Sequence, residues 1–185
     1  MSKWNKKSKT MHRYDLTAEI YDMRYAEEQE AKFKAALENV KISANSLILD
    51  VGCGSGLLFK HIASQAQTVV GVDISTRLLR KARKSAARFQ NVYLIKADAD
   101  YLPLRSTFFH IAFAFTVLQN LPKPLQTLIE LKRIARTDAI LVVTGLKKVF
   151  PLKSFKMLLK NAGLKVFSLK ESNELKCHVV MSIRR

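Results

Sequence analysis

The sequence has little cysteine and no long apolar segment, and both absences exclude whole classes of protein. Two cysteines in 185 residues cannot build a disulfide framework, and the four histidines match no metal-ligand spacing. The longest mainly apolar run, around residues 111–117, has the length of a strand and falls short of the ~18 residues of a membrane span. The first residues are basic without an apolar segment behind them, so no secretory signal is expected. We therefore expect a protein of the reduced cytoplasm, with no bound metal and no membrane partner.

Acidic side chains are also scarce. The chain has 15 Asp and Glu residues against 32 Lys and Arg residues, which gives a formal net charge of +17. Such a charge attracts polyanions and accelerates encounters with them. Nucleic acid is the partner that this composition favours. The alternative is a basic surface that has no part in recognition.

The chain divides into a short basic segment and one domain. Residues 1–13 carry five lysines and arginines and no acid, which indicates a mobile basic arm. Residues 14–185 are expected to form a single domain, since a chain of this size can bury one core. Apolar side chains at helical spacing predict one long or two short helices over residues 16–38. Beyond them we predict strands at 46–51, 68–72, 91–96, 108–115, 139–144, 164–169 and 175–183, and helices at 56–65, 75–89, 124–136 and 151–162.

This alternation of apolar strands with amphipathic helices predicts a parallel sheet that is covered on both faces. The last strand differs, because its apolar side chains recur at every second position from Leu175 to Ile183, as in an antiparallel strand. The expected fold is α/β and Rossmann-like. It is a doubly wound, seven-stranded, mostly parallel sheet with an antiparallel C-terminal strand.

A glycine-rich segment, Asp-Val-Gly-Cys-Gly-Ser-Gly at 50–56, lies where the first predicted strand meets a helix. Glycine permits a sharp turn there and lets a ligand approach the backbone with no Cβ in the way. The helix start behind the turn presents free N–H groups toward an anionic group. The spacing Gly-x-Gly-x-Gly differs from the Gly-x-Gly-x-x-Gly of dinucleotide-binding dehydrogenases, so that class is disfavoured.

Three carboxylates are expected at one edge of the sheet. Asp50 precedes the glycines, Asp73 ends the second strand and Asp98 follows the third, and open α/β sheets bind ligands at the carboxyl ends of their strands. An acid at the position of Asp73 hydrogen-bonds ribose hydroxyls in nucleotide-binding units. Asp98 could meet an adenine edge, and Asp50 could receive a cationic amine. Each of the three could instead cap a local turn or a helix, as could Asp100.

Three segments resemble motifs I, II and III of the class I S-adenosylmethionine-dependent methyltransferases, namely residues 50–56, 71–75 and 97–99. The resemblance extends over about residues 14–183 and includes the terminal β-hairpin. It implies S-adenosyl-L-methionine as the cofactor, with the ribose on Asp73 and the adenine amine on Asp98. It further implies that the remaining cofactor positions are Asp50, Gly52, Cys53, Gly54, Gly56, Ile74, Ala99 and Thr116.

The segment from Tyr14 to Tyr25 resembles the N-terminal helix that closes over the cofactor in many methyltransferases of small molecules and RNA. The resemblance therefore implies that Tyr21 and Tyr25 contact the cofactor. Their alternative role is packing, which is the commoner one for aromatic side chains on a helix. Cys53 has glycine neighbours and no base nearby in sequence, so we expect no chemistry from its thiol.

The methyl acceptor is expected beside the loop that follows the fourth strand, residues 115–122. This loop lacks the Asn/Asp-Pro-Pro-aromatic sequence of enzymes that methylate exocyclic base amines, and it is more similar to the loop of the type-11 methyltransferases. Adenine N6 and guanine N2 are therefore disfavoured as acceptors. Methyl transfer mainly requires that the acceptor be positioned. Gln119 and Asn120 are the candidate catalytic residues that would orient it, and their alternative role is to satisfy loop backbone groups.

Three functions remain open. The first is methylation of RNA, either tRNA or rRNA, which is favoured by the basic arm, the outer face of the helix at 75–89 and the lysines of the helix at 151–162. The second is methylation of a small molecule or a protein. The third is non-catalytic binding of S-adenosylmethionine. Similar enzymes of rRNA and tRNA often depend on a small zinc-binding activator protein, so the resemblance implies such a subunit as a further partner.

Overall fold

The structure is a computed structural model that describes residues 3–184, without the side chains of Lys3 and Tyr21. Seven strands form one sheet in the order β3-β2-β1-β4-β5-β7-β6. Strands β1 to β5 pair in parallel, and β7 runs antiparallel to both of its neighbours, β5 and β6. The predicted Rossmann-like fold is confirmed. The strands are β1 (Leu47–Val51), β2 (Thr68–Asp73), β3 (Val92–Lys96), β4 (Phe109–Ala114), β5 (Ala135–Leu146), β6 (Leu164–Lys170) and β7 (Cys177–Arg184).

Helices cover both faces of the sheet. The helices are α1 (Lys3–Thr17), α2 (Tyr21–Leu37), α3 (Phe59–Ile62), α4 (Thr76–Ala86), α5 (Pro124–Ile134) and α6 (Leu152–Asn161). Because successive side chains of a strand point to opposite faces, Ile48 packs with α2, α3 and α4, whereas Leu49 packs with α5 and α6. None of the helices in the described residues is both long and apolar enough to cross a membrane.

The first helix differs from the prediction of a mobile arm over residues 1–13, because α1 is helical from Lys3 and lies against the domain. Polar contacts along its length hold it there. Near its middle, Lys7 pairs with Asp98 and Asp100. Near its end, Asp15 accepts hydrogen bonds from the hydroxyl of Ser75 and the N–H of Arg77, at the start of α4. These partners are distant in sequence, so the charges of residues 1–13 alone could not predict that the segment packs against the domain.

Candidate active site

The glycine-rich segment turns sharply at the carboxyl end of β1. Gly52 and Gly54 have φ angles of +71° and +57°, in the left-handed region that glycine tolerates best. A Cβ on Gly52 would also overlap Val117, in the loop after β4. Gly56 has a φ of +82°, but a Cβ there would meet the ring of Phe59, so its role is to let α3 pack closely.

Asp73 holds this turn to the end of β2. Its Oδ2 accepts the N–H of Gly54 at 2.9 Å, and its Oδ1 accepts the N–H of Ser75 at 2.8 Å. Burial raises the pKa of Asp73, although these backbone amides act to lower it. The glycine turn and Asp73, which the sequence analysis assigned to the cofactor, therefore lie together at the carboxyl edge of the sheet. Each carboxylate oxygen keeps a second lone pair for a ligand hydroxyl.

One cleft brings together most of the predicted cofactor positions. Around it lie the turn after β1, the ends of β2 and β3, and the loop after β4, with Thr10 and Tyr14 of α1 on the open side. Apolar walls with a few carboxylates are what a nucleoside site needs, and so the residues present fit S-adenosylmethionine. The predicted residues that line the cleft are Gly52, Gly54, Asp73, Ile74, Asp98, Ala99 and Thr116.

Asp98 lies in the wall of the cleft and is already paired with a cation. The Nζ of Lys7 is 2.7 Å from both carboxylate oxygens of Asp98, and it also contacts Asp100. Lys7 is only 6% exposed. Although burial by itself lowers the pKa of Lys7, the two carboxylates raise it, so this lysine stays charged. An adenine amine and Lys7 would therefore compete for the same carboxylate.

Two other predicted residues, Asp50 and Cys53, lie beneath the glycine turn and not in the cleft. They line a smaller cavity together with Gln29 and Phe33 of α2. Burial, assisted by the charge of Asp73, raises the pKa of Asp50 to about 8. Burial also raises the pKa of the Cys53 thiol, which therefore stays protonated and is unsuited to nucleophilic chemistry.

Thr116 adopts a left-handed conformation, with a φ of +62°. This region is unfavourable for a β-branched residue and is kept only where neighbouring groups impose it. Here the N–H of Thr116 donates to the hydroxyl of Thr144 at 2.8 Å. Its own hydroxyl oxygen accepts from the amide of Gln29 and from Lys32, each at 3.0 Å. Thr116 is thus fixed at the edge of the cleft by groups from two elements.

A second cavity, which we call the acceptor cavity, shares Tyr14, Thr116 and Asn120 with the cofactor cleft. Its volume of about 320 Å³ is in the range of sites for small molecules. Tyr25 lies here and not in the cleft, so the structure does not place it at the cofactor as predicted, because α2 directs this residue toward the loop after β4. The Tyr21 side chain lies outside the described residues. The other residues of the acceptor cavity are Arg13, Thr17, Arg24, Glu28, Gln29, Gln119 and Leu146.

Asn120 stands between the two cavities. Its Nδ2 donates to the backbone oxygen of Thr116 at 2.7 Å and to the hydroxyl of Tyr14 at 3.0 Å. Its Oδ1 accepts from Arg13 at 3.0 Å. Asn120 therefore supports the loop backbone and also joins the loop to α1. The other predicted residue of this loop, Gln119, lines only the acceptor cavity.

The sequence analysis missed a buried polar group on α2. Lys32 is 1% exposed, and its Nζ lies 2.6 Å from Glu28 as well as 3.0 Å from Thr116. The sequence does contain a signal for this group. The i, i+3, i+4, i+7 spacing of one helix face joins Gln29, Lys32, Phe33 and Ala36. Two of these residues, Phe33 and Ala36, belong to the core. Two polar residues on an apolar stripe indicate a buried partner.

The sheet order, the glycine turn and its anchoring carboxylate define a class I S-adenosylmethionine-dependent methyltransferase. A family model described as a methyltransferase domain matches residues 49–143, from β1 into β5. The chain belongs to this family, of the type-11 kind, whose cofactor is S-adenosylmethionine.

Several known proteins are similar to parts of the chain. A demethylmenaquinone methyltransferase of Tropheryma whipplei is 31% identical over 110 residues, which are 60% of this chain and 46% of the relative. The probable ribosomal RNA small subunit methyltransferase A of Methanococcus maripaludis is 31% identical over 99 residues, 54% of this chain and 35% of the relative. This chain thus spans about half the length, or less, of these curated relatives.

Among solved structures, the complex between the Haloferax volcanii Trm112 methyltransferase activator and a methyltransferase contains a chain similar to this one. The TM-score is 0.79 at 14% identity, and the likeness covers 92% of this chain and 95% of that one. At this identity the likeness shows the fold alone.

Proposed function

We propose that this chain is a methyltransferase that transfers the methyl group of S-adenosylmethionine to a base in tRNA or rRNA. The observation that carries the proposal is that the two cavities are neighbours, since Tyr14, Thr116 and Asn120 line both. A cofactor in the cleft and an acceptor in the neighbouring cavity would meet there. Two exposed arginines, Arg13 and Arg24, line the acceptor side and suit an anionic substrate such as RNA.

The residues around this junction are suited to positioning. When bound, S-adenosylmethionine supplies an activated methyl group on a sulfonium. Asn120 and Thr116 are fixed by the hydrogen bonds described above and can orient an acceptor. Burial raises the pKa of Tyr14, so its hydroxyl stays protonated and can donate a hydrogen bond but not serve as a base at neutral pH. We therefore expect an acceptor atom that already carries a free lone pair.

A basic surface borders the site. α1 packs beside α4, and exposed basic side chains lie on both helices, namely Lys9 and Arg13 on α1 and Arg80, Arg83 and Lys84 on α4. We call these five residues the α1–α4 basic surface. Each phosphate that it neutralised would add affinity that depends on salt and not on sequence. The lysines of α6 belong to the opposite layer of the sheet, so a short RNA at the site would not reach both.

One experiment tests the proposal directly. The full chain is incubated with methyl-labelled S-adenosylmethionine and total RNA from the source organism, and the digested RNA is examined nucleoside by nucleoside. We expect label in one nucleoside. A paired R83Q/K84Q variant should raise the RNA concentration needed for half-maximal rate, whereas the matched K156Q/K160Q variant on α6 should not. Label in a metabolite or a protein, with none in RNA, would refute the RNA substrate.

Methylation of a small molecule is the second candidate. The quinone methyltransferase among the relatives favours it, and so does the size of the acceptor cavity. The same incubation with a metabolite extract in place of RNA separates the two candidates. We also propose a cytoplasmic location for the enzyme, on the basis of its RNA substrate.

A small zinc-binding activator is proposed as a partner of the enzyme. The similar chain in the Haloferax volcanii complex was solved with the Trm112 methyltransferase activator, and the likeness covers 92% of this chain. Co-expression with the small zinc-binding protein of the source organism should raise the yield of soluble enzyme and its rate on RNA. Equal yield and rate with and without that protein would contradict the partnership.

A further inference from the structure

A further cavity lies at the amino edge of the sheet, on the side opposite the cofactor cleft. Its volume is about 300 Å³, and it is lined by the first residues of β4 and β5 and by the segment before β1. We call it the amino-edge cavity. Because β1 is five residues long, the two edges of the sheet are roughly 16 Å apart. None of the described residues around this cavity also lines the cofactor cleft or the acceptor cavity, so any ligand here is a separate one.

An irregular pairing of β4 with β5 forms one wall of this cavity. The register shifts between Phe109 and Ile111, so that residues 136–139 of β5 stand opposite His110 alone. Extra residues of this kind redirect side chains away from the regular ladder. The irregularity brings the exposed side chain of Arg136 to His110, with Nη1 only 2.7 Å from Nε2.

The other ring nitrogen fixes the tautomer of His110. Its Nδ1 accepts the backbone N–H of Leu47 at 3.0 Å and therefore carries no proton. Burial, assisted by the charge of Arg136, lowers the pKa of His110 below its usual value, so the ring is neutral at neutral pH. A neutral imidazole has one N–H group. In His110 this proton has to be on Nε2, the nitrogen that faces Arg136.

Two hydrogen-bond donors therefore face each other in the cavity. The guanidinium of Arg136 can only donate, and so can the Nε2–H of His110. At 2.7 Å they are close enough for a hydrogen bond, yet neither can accept from the other. A negatively charged oxygen beside them can accept from both, and such charge-assisted hydrogen bonds are the stronger kind.

The remaining charges of the cavity also favour an anion. Two permanently charged cations line it, Lys41 and Arg136, and both are exposed. Among the described residues around the cavity, Asp138 is the one carboxylate, so the cations outnumber it. A phosphate group has several anionic oxygens and can accept from a guanidinium, an imidazole N–H and an ammonium group together.

We infer that the amino-edge cavity binds a phosphate group between Nε2 of His110 and the guanidinium of Arg136, with Lys41 as a third donor. The inference goes beyond the proposed function, because it concerns a different edge of the sheet. The phosphate has two possible sources, which share this chemistry. It is either a free phosphate or phosphorylated small molecule, or a backbone phosphate of an RNA whose methylated base lies at the other edge.

Imidazole spectra of the full chain test the tautomer and the binding together. Protein with ¹⁵N-labelled histidine is titrated with inorganic phosphate at neutral pH, and with sodium chloride at equal ionic strength as the control. The signal that is absent from H110N identifies His110. We expect a proton on Nε2 from the start, and phosphate should shift this signal whereas chloride should not.

Two results of these spectra would overturn the inference. A proton on Nδ1 is the first, because Nε2 would then accept from Arg136 and the pair would need no anion. A His110 signal that phosphate leaves unmoved is the second.

Three substitutions distinguish a site from a general attraction to a basic protein. R136Q removes a donor, so the Kd for phosphate should rise by roughly tenfold, the effect of one hydrogen bond to a charged group. D138N removes the opposing carboxylate, so the Kd should fall. The matched control R88Q removes an exposed arginine just after α4 and should leave the Kd unchanged. All three variants should bind S-adenosylmethionine as the wild type does, which shows that they are folded.

These variants also give results that would contradict the site. Equal losses of phosphate affinity in R136Q and R88Q would show that the overall charge attracts phosphate. A Kd that does not fall in D138N would place the phosphate outside this cavity.

The methylation assay with total RNA identifies the source of the phosphate. For a backbone phosphate, R136Q should raise the KM for RNA and leave kcat unchanged, and free phosphate should compete with RNA. Equal kinetics for R136Q and R88Q would assign the site to a free phosphate or a phosphorylated small molecule. Absence of label from RNA would refute the proposed substrate without affecting the phosphate site, which the spectra measure independently.

Discussion

The Nζ of Lys7 lies 2.7 Å from each carboxylate oxygen of Asp98, so a residue of the first helix occupies the carboxylate that the family resemblance assigns to the adenine. The pair is part-buried and includes Asp100. It holds α1 against the wall of the cleft that contains Asp98. For the adenine amine to reach Asp98, this contact has to open.

Replacement of Lys7 by methionine should therefore strengthen cofactor binding. Methionine keeps most of the apolar stem and removes the ammonium group, which frees Asp98 to accept from the adenine. We expect the Kd for S-adenosylmethionine to fall by roughly tenfold, the effect of one hydrogen bond to a charged group. Calorimetric titration measures it, and K9M, on the exposed side of α1, should leave the Kd unchanged. A weaker affinity in K7M would show that Lys7 contributes to cofactor binding and does not compete with it.

Asp73 should be indispensable for cofactor binding. In D73N, an amide replaces a carboxylate that accepts the N–H groups of Gly54 and Ser75, so the glycine turn loses its anchor along with the ribose contact. We expect the Kd to rise by about 100-fold, the effect of losing two hydrogen bonds to a charged group. The matched control is D138N, which changes an exposed aspartate. Equal titration curves for D73N and D138N would show that the carboxylate of Asp73 does not bind the cofactor.

The raised pKa of Asp50 predicts that the free energy of unfolding falls as pH rises. An aspartate in the unfolded chain ionises near pH ~3.9, whereas folded Asp50 keeps its proton up to a pKa of about 8. Between these two pH values the folded state binds more protons than the unfolded state. The stabilisation from Asp50 is therefore complete below the unfolded pKa of ~3.9 and is lost as the pH rises toward the folded pKa of about 8. The slope is at most ~1.4 kcal/mol per pH unit for one group.

Urea unfolding of the cofactor-free protein at pH 5.5, 6.5 and 7.5 measures this slope. D50N has no proton to lose at this position and should show a flatter profile than the wild type. Asp73 is buried beside Asp50 and its pKa is also raised, so some slope should remain in the variant. Identical slopes in the two proteins would contradict the assignment to Asp50.

Thr116 and Asp138 have nearly the same backbone conformation, with φ angles of +62° and +61°, and should respond differently to glycine. At either position glycine removes ~1 kcal/mol or more of backbone strain from the folded state. It also makes the unfolded chain more flexible, which destabilises the folded state by about as much. T116G also removes the hydroxyl that accepts from Gln29 and Lys32; Lys32 keeps Glu28, whereas the buried amide of Gln29 loses this acceptor, at a cost of about 1–3 kcal/mol. We therefore expect T116G to lower the free energy of unfolding and D138G to leave it nearly unchanged. A stable T116G would mean that strain outweighs the two hydrogen bonds.

Much of the site could be predicted because parallel strands end at a common edge. Gly52, Gly54, Asp73, Asp98 and Thr116 each lie at the carboxyl end of a strand or within three residues of it, so the order of strands and helices along the chain was enough to place them at one cleft. Asp50 and Cys53 were harder to place. Asp50 lies within β1 and Cys53 lies in the turn after it, yet both line the smaller cavity beside α2. Side chains alternate only along an extended strand, so the direction of Cys53 beyond the turn could not be predicted from that rule.

Local patterns by themselves determined the strands, the helices after α1, the parallel sheet with its antiparallel end, and the carboxylates at the strand ends, because periodicity and spacing act over a few residues. The tertiary structure alone decided which charges are used. Lys7 meets Asp98 across 91 positions and Lys32 meets Thr116 across 84. Its neighbours in sequence predict a solvated Lys7, and for Lys32 the helical spacing indicates a buried partner without identifying it. Packing against distant groups is what pairs Lys7 with Asp98 and Asp100 and places Lys32 beside Thr116.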